Sequence, residues 1–520
     1  MVASLDIYLS DPSSMLFNSF SYIAFFCIVF AVYWLMPDKH RRLFLLLASY
    51  FFYMSWKAEY GLLILALTVV NYFLGLKIGD LLESQKDKAK KWLQVGLVFN
   101  LGCLCFYKYT NFLIQSFFAA IAFGGNLSHI KALEAAQSPA MNIILPLGIS
   151  FFTFEFIHYI VDIYRGSKPV KSPIDFALFA SFFPSQIAGP IKRFQDFMHQ
   201  LEEKPSLKRE YFHEGMFLIM QGFFKKIVLS DNIGVLVGQG FNNLASLSLF
   251  DAWITAIGFT FQIFFDFSGY TDIGRGSALL LGYKVPENFN LPFLAHSLTN
   301  FWHRWHISLS TWLRDYLFIP MGGSRGSAWQ TRRNTFMTMV LGGLWHGADW
   351  TFVIWGTLHG LGLILSKEWT DFAAKQSFLA PLRRSKVWHY SGVAFVCLFI
   401  CLVSIFMRAP KLEQALCLVG KFFGIGTNID VPGITGAVTT SFLQSTIIYT
   451  LPVYLLYAYL HQKYLTMQKS GQPLLPAPIS ALVNYWQTSP ALQTAACLTL
   501  AIFISGMAPS QLSPFIYFQF

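Results

Sequence analysis

Leu16-Phe-Asn-Ser-Phe-Ser-Tyr-Ile-Ala-Phe-Phe-Cys-Ile-Val-Phe-Ala-Val-Tyr-Trp-Leu-Met36 is an uncharged, mostly apolar run. At about 1.5 Å rise per residue, some 20 such residues form a helix long enough to cross a bilayer core of ~30 Å. The run is followed by Asp38-Lys39-His40-Arg41-Arg42 and preceded by a stretch holding Asp6 and Asp11 but no Lys or Arg. A secretory signal peptide starts with a basic region, so this N-terminus does not read as one. The charge order predicts an N-terminus outside and Lys39 inside.

Comparable runs recur near 42–56, 60–76, 92–122, 141–161, 211–238, 248–266, 335–365, 390–408, 440–460 and 490–508. Segment 174–191 is shorter and carries Pro184, Gly189 and Pro190, which predicts a broken or re-entrant helix. The pattern predicts an all-α, polytopic integral membrane protein with about 11–13 transmembrane or re-entrant helices. Composition agrees. The 520 residues are 54% hydrophobic and only 12% charged, about half the charge usual in soluble domains. Mean hydropathy is +0.47. A disordered chain, a coiled coil and a disulfide scaffold are excluded.

The formal net charge of +11 could suggest nucleic acid, but its distribution does not. With the N-terminus outside, inner loops among the clearer spans hold 18 Lys and Arg and outer loops hold 5. That is positive-inside asymmetry, and it places the C-terminus outside as well. The path of residues 174–365 stays open. The seven cysteines lie mostly within apolar runs without C-x-x-C spacing and read as small buried hydrophobes.

Polar side chains inside a membrane are costly and point to function. Here they gather between residues 262 and 347. Phe264-Phe265-Asp266-Phe267-Ser268-Gly269-Tyr270-Thr271-Asp272 suggests a span that breaks beside a cavity, or a helix cap at Asp266. Asn300-Phe301-Trp302-His303-Arg304-Trp305-His306-Ile307-Ser308-Leu309-Ser310-Thr311-Trp312-Leu313-Arg314-Asp315-Tyr316 has helical periodicity. Trp302, Trp305, Leu309, Trp312, Leu313 and Tyr316 form one stripe, and Arg304, Ser308, Thr311 and Asp315 lie opposite. An interfacial anchor and a wedge into the bundle both fit this helix. In Met337-Thr338-Met339-Val340-Leu341-Gly342-Gly343-Leu344-Trp345-His346-Gly347-Ala348, glycines flank a histidine within an apolar run. They allow close approach of a backbone or ligand, although a satisfied core histidine is the plainer reading. No H-E-x-x-H or C-x-x-C supports a metal, and no P-loop, G-x-S-x-G or G-x-G-x-x-G is present.

Taken together, the sequence resembles the bacterial, alginate O-acetyltransferase-like branch of the membrane-bound O-acyltransferase family. The resemblance rests on Phe44-Leu-Leu-Leu-Ala-Ser-Tyr-Phe-Phe-Tyr53, Leu145-Pro-Leu-Gly-Ile-Ser-Phe-Phe-Thr-Phe154 and Phe183-Pro-Ser-Gln-Ile-Ala-Gly-Pro190. It extends to Phe265-Asp-Phe-Ser-Gly-Tyr-Thr-Asp-Ile-Gly274, Glu287-Asn-Phe-Asn290, the 301–316 string and Gly342-Gly-Leu-Trp-His-Gly347. It covers most of the chain from Met15, so residues 1–14 read as a dispensable extension, 15–508 as the membrane domain and 509–520 as an external tail. His303 and Glu155 stand where relatives often have Arg and Gln.

The resemblance implies a bundle around a central tunnel in the bacterial inner membrane, with His346 and His306 catalytic. It implies acetyl-CoA as a cytoplasmic donor substrate, with no permanently bound cofactor and no metal. Asp266, Asn300, Arg304, Trp305 and Trp345 are the candidate substrate-binding residues. The acceptor would be an extracytoplasmic polysaccharide: alginate, another exopolysaccharide, peptidoglycan or cellulose. The terminal Phe515-Ile-Tyr517-Phe-Gln-Phe520 resembles a tyrosine motif of related acyl-transfer systems. There the Tyr hydroxyl is proposed to carry the acyl group to an external SGNH-hydrolase-like partner, which implies Tyr517 as a catalytic relay. An interfacial aromatic anchor is the alternative. Lipid surrounds the bundle in either case, and nucleic acid is not an expected partner. A small-solute or glycan transporter would require inverted repeats with paired broken helices, and only one half of this chain is rich in polar clusters. A scaffold with structural histidines is the third reading.

Overall fold

The structure is a computed structural model that describes residues 15–124, 143–186 and 189–427, and beyond them 456, 489, 498–499, 501–502, 504–506 and 514–516. The predicted extension 1–14, Tyr517 and most of the runs 440–460 and 490–508 lie outside the described residues. The described residues are helical, with a single isolated bridge, between Phe289 and Trp305, and no strand.

Helices α1 (Phe20–Leu35), α2 (Asp38–Met54) and α3 (Ala58–Leu82) lead into α4 (Lys86–Leu104). Helix α4 passes through a π-turn at Cys105–Tyr109 into α5 (Thr110–Gly124). After α6 (Ile149–Tyr164), the 174–191 segment is broken as expected: α7 (Pro173–Ser181) ends at Phe182 and only α8 (Phe183–Gln186) follows. Helix α9 (Phe194–Glu202) precedes α10 (Arg209–Phe223), a π-turn at Phe224–Asp231, and α11 (Asn232–Asn242). The long α12 (Leu249–Leu280) is followed by the short α13 (Leu298–Trp302) and α14 (Ile307–Leu313). Then come α15 (Ala328–His346), α16 (Trp350–Lys375), α17 (Lys386–Arg408) and α18 (Leu412–Phe422). Among the described residues, α3, the 86–118 stretch of α4 and α5, α12 and α17 are long and apolar enough to cross a membrane. The chain is a multi-pass helical membrane protein.

Helix α12 is the central post. Ser248 and Asp251 form a reciprocal capping box at its start. From there the helix runs unbroken through Asp266, so the expected break or cap at Asp266 does not occur. The glycines nearby serve helix packing instead. A Cβ on Gly222 of α10 would stand 2.6 Å from the Gly269 carbonyl, and one on Gly215 would stand 2.9 Å from the Gly276 carbonyl. Small residues thus bring α10 and α12 to near backbone contact, the usual means of association where lipid gives no hydrophobic drive. Helices α3 and α4 are joined by reciprocal amide bonds, Asn71 Nδ2 to Asn100 Oδ1 at 3.0 Å and Asn100 Nδ2 to Asn71 Oδ1 at 2.7 Å.

The continuous helix expected over Trp302–Tyr316 is a second correction. It is two short helices separated by a loop at His303–His306. Long-range backbone pairing overrides the 3.6-residue period: Asn290 N–H donates to Arg304 O at 2.9 Å and Ile307 N–H to Asn288 O at 3.0 Å. The stripe is still largely buried, with Trp302, Trp305, Leu309, Trp312 and Leu313 in the core. Ser308, expected on the polar face, is buried too, where it donates to Asn288 Oδ1 at 2.6 Å. The run 335–365 is likewise two helices, α15 and α16, folded back on each other at Gly347-Ala348-Asp349.

Candidate active site

His306 occupies the loop that replaces the expected helix. Its backbone is left-handed, with φ 42° and ψ 54°, and it directly precedes α14. That conformation costs a non-glycine residue on the order of 1 kcal/mol, so its surroundings must impose it. The Glu287-Asn-Phe-Asn290 string does so. Besides the two backbone bonds, Asn288 Nδ2 donates to Thr271 Oγ1 of α12 at 3.4 Å, and Ser308 Oγ accepts from Ile191 N–H at 3.0 Å. Two strings remote in sequence, 183–191 and 287–290, therefore clamp the loop that carries His306. The imidazole is fully buried, and neither ring nitrogen has a hydrogen-bond partner among the described residues. Buried polar atoms are nearly always paired, so an unpaired ring in a constrained backbone suits a group that meets a substrate.

His346 is the last residue of α15. The final carbonyls of a helix have no partner within it, and inside a bundle they must find one. Here Tyr109 OH donates to Leu344 O at 2.9 Å, while the buried Lys108 ammonium donates to Trp345 O and, at 3.0 Å, to His346 O. Both donors come from the π-turn between α4 and α5. A cation at a helix C-terminus also meets its negative dipole end. Lys108→Met keeps most of the stem but strips both bonds, each worth about 1.5–3 kcal/mol because the donor is charged. The expected result is a lower thermal midpoint and weaker acyl transfer, with Lys108→Arg recovering part of each, read by thermal unfolding and transfer assay.

The two histidines meet across one aromatic chamber. Their ring centroids are 6.4 Å apart. Trp345 lies 4.9 Å from His346 and 6.2 Å from His306. Phe154 stacks on Trp312 at 3.7 Å and on Trp345 at 5.1 Å, fixing that wall. On the other side, Trp355 of α16 lies 5.0 Å from His346 and 4.4 Å from a third buried histidine, His359, which sequence reading missed. Gly343 and Gly356 make this possible: a Cβ on Gly343 would stand 2.9 Å from Gly356 Cα. Trp305 is buried beside Phe264 and Phe289. Asn300 and Arg304 sit at a partly exposed edge, with Arg304 Nε donating to Asn300 Oδ1 at 3.1 Å.

Asp266 faces a different neighbourhood. Its Oδ1 pairs with Lys226 Nζ at 2.6 Å, and the same ammonium reaches Asp231 Oδ1 at 2.7 Å. Its Oδ2 accepts from Ile516 N–H at 2.7 Å. Phe515 stacks on Tyr270 at 4.4 Å and lies 5.6 Å from Phe267, which meets His306 edge-on at 4.7 Å. The chain's own tail thus reaches the chamber wall. Lys108, Lys226 and Asp231 were also missed by sequence reading. Their signal was present, since each is a charge inside a run read as long enough to span. Another buried pair, Glu155 and Lys192 at 2.7 Å, lies beside the 183–191 segment. No group of three or more metal-ligating side chains occurs among the described residues.

Comparison with known proteins gives a consistent picture. The family model described as MBOAT, membrane-bound O-acyltransferase family, matches residues 62–408. The chain is 37% identical to the probable alginate O-acetylase AlgI of Azotobacter vinelandii, over 97% of this chain and 100% of that protein. It is 33% identical to a peptidoglycan O-acetyltransferase of Helicobacter pylori, over 97% of this chain and 98% of that protein. A teichoic acid D-alanyltransferase of Bacillus subtilis is 32% identical over 43% of this chain and 59% of its own length.

Proposed function

This chain belongs to the membrane-bound O-acyltransferase family, and from that premise we propose that it passes an acetyl group from cytoplasmic acetyl-CoA through the bacterial inner membrane to an extracytoplasmic polysaccharide. The alginate and peptidoglycan acetyltransferases among its relatives support acetyl and a glycan acceptor. The single observation that carries the reading is the buried His306–His346 pair, 6.4 Å apart, with the C-terminal tail against its wall.

In this reading His346 is the general base and His306 assists or orients. Tyr517, bonded to the docked Ile516, is the first acceptor, although it lies outside the described residues. A free phenol has a pKa of about 10 and is a poor nucleophile near neutrality, so a base must take its proton. His346 accepts the Tyr517 proton as the phenolic oxygen attacks the thioester carbonyl. The C–S bond breaks, and coenzyme A leaves as a thiol with that proton. The acetyl-tyrosine ester then passes its acetyl to a hydroxyl nucleophile on an external SGNH-hydrolase-like partner, which restores the phenol. Trp305 and Trp345 wall the acyl path and exclude water that would hydrolyse the thioester. Arg304 and Asn300, at the partly exposed edge, and Asp266, at the tail, complete the binding residues.

The test is reconstitution in sealed vesicles with acetyl-labelled acetyl-CoA on one side only. The expected result is thioester consumption with label accumulating on the protein. A protein that moves solute but consumes no thioester would instead favour a transporter.

A further inference from the structure

The Lys226–Asp231–Asp266 cluster is 1–2% exposed and holds the tail. Two carboxylates share one ammonium, at 2.7 and 2.6 Å. With every group ionised, the cluster therefore carries one excess negative charge. A buried carboxylate in that position needs further donors. The tail supplies one: the Ile516 main-chain N–H, 2.7 Å from Asp266 Oδ2. The ammonium in turn lies 3.5 Å from the Pro514 carbonyl. The cluster thus holds a backbone donor and a backbone acceptor, two residues apart on one segment of chain. Phe515 between them stacks on Tyr270 at 4.4 Å, and Tyr270 OH donates to Asn18 Oδ1 at 2.9 Å.

We propose that the Lys226–Asp231–Asp266 cluster is a latch for the chain's own C-terminal strap, which grips the backbone of Pro514–Ile516 and so positions the residue that follows for acylation. The latch reads peptide geometry, while Phe515 supplies the apolar anchor. The cluster is a set of positioning residues and touches no donor. The proposal deepens the proposed function and rests on its reading of Tyr517 as acceptor. Its physical core is independent of that reading: the strap donates one hydrogen bond to the cluster and accepts one from it.

The discriminating change is on the strap, where the bundle core is untouched. Ile516→Pro removes the N–H that Asp266 accepts, while Ile516→Val keeps it. Asp266→Asn is the companion change in the cluster; it keeps the volume and removes the charge. Hydrogen exchange of the Phe515 amide and acetylation of Tyr517 are followed in the full-length protein in nanodiscs, with the thermal midpoint as a folding control. The wild type and Ile516→Val are expected to exchange slowly and acetylate alike. Ile516→Pro is expected to exchange about tenfold faster and acetylate about tenfold less, the change expected from losing one hydrogen bond to a charged acceptor. Asp266→Asn is expected to fall between. Fast exchange in the wild type, or Ile516→Pro indistinguishable from Ile516→Val in either readout, overturns the latch. Slow exchange that Ile516→Pro abolishes, with no acetyl on Tyr517 even in the wild type, supports the latch and overturns the relay.

Discussion

A His346→Ala protein is expected to fold, insert and bind its tail normally, and to lose acetyl transfer by about 10²–10⁴-fold, the usual worth of a positioned general base. The fold survives because the end of α15 is secured by backbone, not by the imidazole. Tyr109 and Lys108 hold the carbonyls of residues 344–346, and those atoms remain when the side chain is cut back to Ala. Gly343 and Gly356 keep α15 and α16 together independently of residue 346. The chemistry is expected to be lost, because the neighbouring histidines stand at other points. His306 approaches from the clamped loop, and His359 lies beyond Trp355. Thioester consumption, measured with thermal unfolding on the same sample, checks both halves. A folded His346→Ala protein that turns over acetyl-CoA at the wild-type rate would return the histidines to a structural role.

The second large effect is expected at Tyr517. Tyr517→Phe removes one oxygen and nothing else, so a purely anchoring tail would not register the change. A Phe ring keeps the apolar body of the anchor and loses only the polar handle that favours Tyr at a membrane interface. If the hydroxyl is the acyl acceptor, O-acetylation of the extracellular polymer falls to background, because the acetyl ester has no atom to form on. Acetyl-CoA still binds, and slow hydrolysis of the thioester continues. Ester-linked acetate on isolated polymer, compared between wild type and Tyr517→Phe cells with matched protein levels, separates relay from anchor.

Much of this architecture is visible in the chain before folding. Helical runs and the break in 174–191 follow from composition and period, whereas the assignment of His306 and His346 rests on the family resemblance. What escaped has identifiable causes. The Trp302–Tyr316 period is genuine, and its apolar members are largely buried. Local periodicity nevertheless cannot foresee that Asn288 and Asn290 will pair with the backbone of residues 304 and 307 and interrupt the helix at His306. Asp266 read as a break or a cap because it ends an apolar run and Gly269 and Gly274 follow it; its partner, Lys226, lies 40 residues earlier in a run read as simply apolar. His359 lies unremarked in the apolar run 335–365, and only the close crossing of α15 and α16 brings it to the chamber. In each case the decisive contact is long-range, between groups whose pairing in low dielectric is worth more than local propensity.

In the proposed mechanism Tyr517 takes acetyl from the donor inside the bundle. Mass spectrometry of the C-terminal peptide tests it most directly. The full-length protein is incubated with isotopically labelled acetyl-CoA without an external partner, then quenched and digested. Labelled acetyl is expected on Tyr517 in the wild type and not in His346→Ala. A protein that acetylates polymer when the partner is restored, yet never carries label on Tyr517, would contradict it.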